Sequence, residues 1–131
     1  MRLLYKGIAP GVYETGNGSV AGGWTFAVMD QSAFTIASED WLHKYTGISA
    51  VTESANIKYV DSIFPNDYVE VWGEYSDITP AKWIVYTKCY TRRKKSNDWK
   101  LAATGSFTFV QINKNRNIVK IPKEVINEIK G

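Results

Sequence analysis

Asp30 is the only acid in the first two-thirds of a long segment whose apolar residues recur at helical spacing. That segment, GNGSVAGGWTFAVMDQSAFTIASEDWLH, runs over residues 16–43, and its spacing predicts one helix over 22–43. Phe26, Met29, Ala33 and Ala37 fall at i, i+3, i+7 and i+11, which makes an apolar stripe facing a core. Asp30 lies on that stripe. Desolvation makes a carboxylate more basic, so Asp30 is a candidate base. The alternative is a carboxylate at the edge of the stripe, facing water or bonding a backbone group.

The approach to the helix supplies a second chemical element. Asn17, Gly18, Gly22 and Gly23 are turn-forming or backbone-permissive, and Ser19 is the small polar residue among them that could cap. Such an N-terminus presents unpaired N–H groups and the positive end of the helix dipole to a phosphate, a carboxylate or a developing oxyanion. Gly22 and Gly23 allow close approach; a tight loop with glycine for packing is the other reading. The spacing matches neither GxGxxG nor GxxxxGK[ST].

Asp30 lies eight residues after Gly22, about 12 Å along the axis of one helix at roughly 1.5 Å per residue. The two cannot serve one carbonyl together. If both act on one substrate, the glycine end comes from one subunit and the carboxylate from another, as a two-fold axis beside antiparallel helices would arrange.

Around these residues the chain must build its scaffold from 131 residues, 44% hydrophobic and 14% aromatic, which reads as a single domain over 1–131 with a sizeable core. Five Trp and eight Tyr suggest amphipathic walls or an interface. The lone Cys89 excludes an internal disulfide, and without a Cys or His cluster no metal site is expected. The start MRLLYKG reads as neither signal peptide nor membrane span, so a cytoplasmic protein is expected. A net charge of +3 suits a polyanionic small ligand better than nucleic acid.

Residues 2–6 read as a strand and 7–19 as a loop. After the helix, VTESANIKY over 51–59 alternates, placing Val51, Ala55, Ile57 and Tyr59 on one face and Thr52, Ser54, Asn56 and Lys58 on the other. Further strands are expected over 68–75, 83–91 and 100–112, with turns at Pro65-Asn66-Asp67 and Thr79-Pro80 and a basic hairpin tip at TRRKKSND. A short helix opens at Pro122. This order predicts an α+β fold, one antiparallel sheet with the long helix packed across it. Its open edges and uncovered apolar surface predict a homodimer, or a dimer of dimers, joined edge to edge.

Three stretches carry a family resemblance. NGSVAGGWTFAVMDQSAF is similar to an N-x-G-x-x-x-GG-x₆-D segment, VTESANIKY and NDYVEV to two following strands, and ATGSFTFVQINKNRNIVKIP to a last strand with a basic tail. Together they resemble the hot-dog fold acyl-CoA thioesterases, in which a long central helix is wrapped by an antiparallel five-stranded sheet. The resemblance implies hydrolysis of an acyl thioester at a subunit interface, with Asp30 as general base or nucleophile and the Gly22 N–H, beside Gly23, as oxyanion donor. Thr52 matches the Ser or Thr that holds the attacking water; as a residue it is also simply a good strand former. Some members carry an Asn where this chain has Thr15, with Asn17 two residues on, and whether Asn17 replaces it stays open.

The resemblance also implies coenzyme A as part of the substrate, with no other cofactor. Its phosphates need cations, for which Lys82, Arg92, Arg93 and Arg116, with Lys94, Lys95 and Lys120, are candidates; each has the ordinary explanation of a solvated surface charge. Trp24, Phe26, Phe34, Tyr59 and Phe64 could line an acyl tunnel or pack the core. Two other functions compete: a non-catalytic acyl-CoA-binding sensor, which needs no base, and a dehydratase or hydratase, for which only His43 is available.

Overall fold

The computed structural model describes residues 1–11 and 15–131. Part of the loop expected over 7–19 therefore lies outside the described residues.

Five strands form one sheet: β1 (Arg2–Ile8), β2 (Ile48–Tyr59), β3 (Tyr68–Ile78), β4 (Trp83–Arg92) and β5 (Lys100–Asn113). They lie in the order β1-β3-β4-β5-β2 and every neighbouring pair is antiparallel. The long helix α1 (Gly22–Asp40) crosses one face, and a short helix α2 (Lys123–Lys130) follows the last strand. This is the α+β arrangement that the hot-dog resemblance implies. The central strands β3 and β4 alternate buried and half-exposed residues, the signature of a sheet with one covered face.

Helix α1 is shorter than the periodicity predicts. It ends at Asp40, Trp41 leaves helical geometry at φ −150°, and Leu42–Lys44 make a 3₁₀ turn. Trp41 is then free to enter the core, where it meets Trp83 edge-on with ring centroids 6.1 Å apart. Trp83 in turn stacks on Phe109 at 4.2 Å. The buried side of α1 is Thr25, Met29, Ser32, Ala33, Ile36 and Ala37. Small Ala33 and Ala37 let the helix approach the sheet closely, and Phe26 reaches Phe107 edge-on at 5.6 Å. Asp30 is therefore not inside the stripe. It is half-buried on the flank that faces β2.

β2 departs from simple alternation. Thr52 opposes Phe109 but Ser54 opposes Thr108, so Glu53 is the extra residue of a β-bulge. The extra residue flips parity. Thr52 now shares the helix-facing side with Ala55, Ile57 and Tyr59, and Val51, opposite Val110, takes the outer side. The expected placement of Thr52 on a polar face with Ser54 is thus corrected, because period-two reasoning cannot count through a bulge.

Candidate active site

Two features meet where β2 passes α1. At one level Thr52 Oγ1 donates a 2.7 Å hydrogen bond to Asp30 Oδ1. At the other, Tyr59 Oη donates a 2.7 Å bond to the carbonyl of Gly22. The edge strand is thereby tied to the helix at both of the positions singled out from sequence.

The Asp30–Thr52 pair exists because of the bulge at Glu53, which turns the Thr52 side chain toward the helix. The bond fixes the carboxylate with Oδ1 engaged, and among the described residues no other side chain bonds Asp30. A carboxylate so held keeps Oδ2 for a water, and the Thr52 oxygen can accept a hydrogen bond from the same water. Beside it Lys82 pairs with the bulged Glu53 at 3.8 Å, both side chains about half exposed.

The helix N-terminus is open. Ala21 is the N-cap residue, at φ −61° and ψ 141°, no side chain caps the helix, and its first turn holds no acid. The orphan N–H groups and the dipole therefore face outward uncompensated. In front of them is a cleft of about 640 Å³ whose walls include Asn17, Ser19, Gly22, Thr25 and Tyr59. Asn17 reaches this cleft, but its side-chain oxygen already accepts from the Ser19 N–H at 3.1 Å and the Ser19 hydroxyl at 2.7 Å, and from Thr15 Oγ1. Its oxygen shapes the loop.

The four cations divide between the two ends of the sheet. Lys82 precedes β4 and Arg92 ends it, so the two lie roughly 30 Å apart along the strand. Arg92 is held in its hairpin: Nη1 donates to the Ser96 carbonyl at 2.8 Å, and its guanidinium lies 4.3 Å from the Tyr68 ring centroid. Arg93 lies over the Phe64 ring at 3.9 Å, and its Nε meets the buried Asp67 carboxylate at 3.6 Å. The Arg93 side chain stays 61% exposed, so the guanidinium is accessible to an anion. Arg116 sits in the turn after β5 at φ 65°, exposed. Thus Arg92 and Arg93 belong to the Gly22 end of β2, and Lys82 and Arg116 to the Thr52 end.

Sequence reasoning missed three features. The bulge carries no signal except a break in alternation between Val51 and Ala55. The bond from Tyr59 to Gly22 spans 37 residues and has no local signature. Gln111, inward on β5 and 1% exposed, donates through Nε2 to the carbonyls of Pro80, Ala81 and Val119, clamping the turn that carries Lys82.

No helix among the described residues is long and apolar enough to cross a membrane. Comparison with curated proteins gave no match. Among solved structures, an Asp-to-Ala mutant of HI0827, a hexameric broad specificity acyl-coenzyme A thioesterase, is similar at TM-score 0.84 and 21% identity, over 98% of this chain and 92% of that one. Cj0915, a hexameric hotdog fold thioesterase of Campylobacter jejuni, is similar at TM-score 0.86 and 16% identity, over 100% and 98%. The protein SAV2348 from Staphylococcus aureus, in complex with CoA, is similar at TM-score 0.81 and 12% identity, over 98% and 82%. At these identities the likeness establishes the hot-dog fold. The model of the thioesterase superfamily matches residues 17–85, which span α1, the Gly-rich approach to it, β2 and β3. On that match, which covers more than half of the chain, the protein belongs to the thioesterase superfamily.

Proposed function

We propose that the protein hydrolyses acyl-CoA thioesters at a site shared between two protomers. The observation that carries this reading is the 2.7 Å bond from Thr52 to Asp30, made on the helix whose open N-terminus faces a cleft. A water between Asp30 and Thr52 gives up a proton to the carboxylate as its oxygen attacks the thioester carbonyl. The carbonyl π electrons move onto oxygen, where the Gly22 N–H and the helix dipole stabilise the oxyanion. Collapse reforms the carbonyl and breaks the C–S bond; the CoA thiolate leaves and recovers the proton from Asp30, giving a carboxylic acid and free CoA.

The Gly22 N–H and the carboxylate are about 12 Å apart within one protomer, so this sequence of steps needs a second chain. Strand β2 supports how it docks. It is twelve residues long, lies at the sheet edge, and is exposed over nearly its whole length. Such an edge is a template for pairing. An antiparallel pair of β2 strands related by a two-fold axis between Thr52 and Tyr59 brings Gly22 of one protomer opposite the partner subunit's Asp30. It also brings Arg93 to the end where the partner's Lys82 and Arg116 lie, so that all three can serve the phosphates of one CoA. Similar proteins described as hexamers favour further assembly of such dimers.

The test is turnover of short, long and aromatic acyl-CoAs with detection of the free thiol. Turnover supports the reading and its absence refutes hydrolysis. A second reading is a non-catalytic acyl-CoA sensor, which needs the open helix N-terminus and the cleft before it but not the base. Binding of acyl-CoA without turnover would select it.

A further inference from the structure

We infer that Tyr59 is a positioning residue for the oxyanion site, holding the Gly22–Gly23 peptide so that the Gly23 N–H joins that of Gly22 as a second donor. The inference rests on the reading of the helix N-terminus as that site. Three observations support it. Tyr59 Oη donates to the Gly22 carbonyl at 2.7 Å, and this carbonyl shares its amide plane with the N–H of Gly23. A donor on the oxygen of an amide polarises the N–H at its other end, so the phenol both fixes the plane and strengthens the Gly23 donor.

The second observation is steric. Gly22 lies outside the left-handed region, which holds Gly18 and Gly47 among the described glycines, so backbone conformation does not call for glycine there. The Tyr59 ring does. A Cβ at position 22 would lie 3.0 Å from Tyr59 Cζ and 3.1 Å from both Cε1 and Oη, whereas one at Gly23 would meet nothing within 4 Å. An added methyl must push the ring away by a few tenths of an ångström, and the hydrogen bond moves with it. Third, Tyr59 is the last residue of β2 and lines the same cleft as Gly22. Desolvation pushes its hydroxyl above the usual value of 10.0, so it remains a donor at neutral pH.

Tyr59→Phe keeps the ring and deletes the bond. Expected is a fall in kcat of about three- to tenfold, the loss of one hydrogen bond, with KM within about twofold and the oligomer intact by light scattering. A role confined to packing would leave kcat unchanged in this variant. Gly22→Ala should lower kcat and Tm in the wild type but change neither further in a Tyr59→Ala background, because the obstructing ring is gone. The inference is overturned if Tyr59→Phe keeps kcat within about 1.5-fold, or if Gly22→Ala costs the same in both backgrounds. A wild type that turns over no acyl-CoA refutes hydrolysis and with it the rate role of Tyr59; the Tm arm still reports whether the ring and position 22 are in contact.

Discussion

At the scale of single residues the mechanism makes Asp30 and the Gly22 N–H separable. Asp30→Asn is nearly isosteric, and the amide can still accept the Thr52 bond, so fold and assembly should persist. The amide takes no proton from water, and loss of a general base costs about 10² to 10⁴ in rate. Retention of kcat within about threefold would remove Asp30 from the chemistry. At the other element, Gly22→Pro deletes the N–H itself. Gly22 is the first helical residue, where proline is tolerated, and Ala21 before it already has the extended geometry, ψ 141°, that a following proline requires. Expected is a folded helix with kcat reduced about 10²- to 10³-fold, as for the loss of an oxyanion donor. Gly22→Ala, which adds the same Cβ but keeps the N–H, is the control for the crowding of Tyr59. Of these residues Asp30 and the glycines were singled out in the sequence by type, whereas helical spacing put Asp30 on the apolar stripe and packing turns it to the flank facing β2. Tyr59 and Gly22 were legible only as separate residues, since nothing local couples positions 37 apart.

At the scale of the elements, number and order were readable from periodicity and turn residues, while the departures lie where tertiary packing overrides them. The helix stops at Asp40 because Trp41 is worth more in the core against Trp83 than in a continued helix, and the burial of an aromatic outweighs a turn of helical propensity. In β2 the bulge at Glu53 decides what Thr52 faces, and the sequence marks it only by a polar residue where alternation from Val51 to Ala55 calls for an apolar one. β4 illustrates regular alternation, with Cys89 among its buried positions and 1% exposed. Burial pushes its thiol from 9.0 up to about 12. A group whose folded value is raised gives stability that is fully present below its unfolded value and is lost as pH rises toward the folded one. Stability should therefore decline from about pH 9 upward through a contribution that Cys89→Ala removes. Below that range the thiol should resist a disulfide reagent until the protein unfolds. Stoichiometric labelling of the native protein at neutral pH would show that β4 opens.

At the scale of the whole molecule the question is why a sheet with a twelve-residue exposed edge should be left so. Soluble proteins usually blunt such an edge, and β2 carries only Glu53 and Lys58 as charges along its length. If β2 pairs with a second β2, each site takes Gly22 from one chain and Asp30 from the other, and two inactive variants should repair each other. In a mixed dimer of Asp30→Asn and Gly22→Pro, one site receives the intact Gly22 of the first chain and the intact Asp30 of the second. The other site receives both lesions. After unfolding and refolding together at equal amounts, half of the dimers are mixed and half of their sites are whole, so activity should return to about a quarter of the wild-type level. Variants refolded alone should stay inactive. A site contained within one chain predicts no recovery at any mixing ratio, because every chain then carries a lesion in its own site. Recovery near a quarter, absent when the variants are mixed without unfolding, would establish that the helix N-terminus and the carboxylate act across the β2 edge.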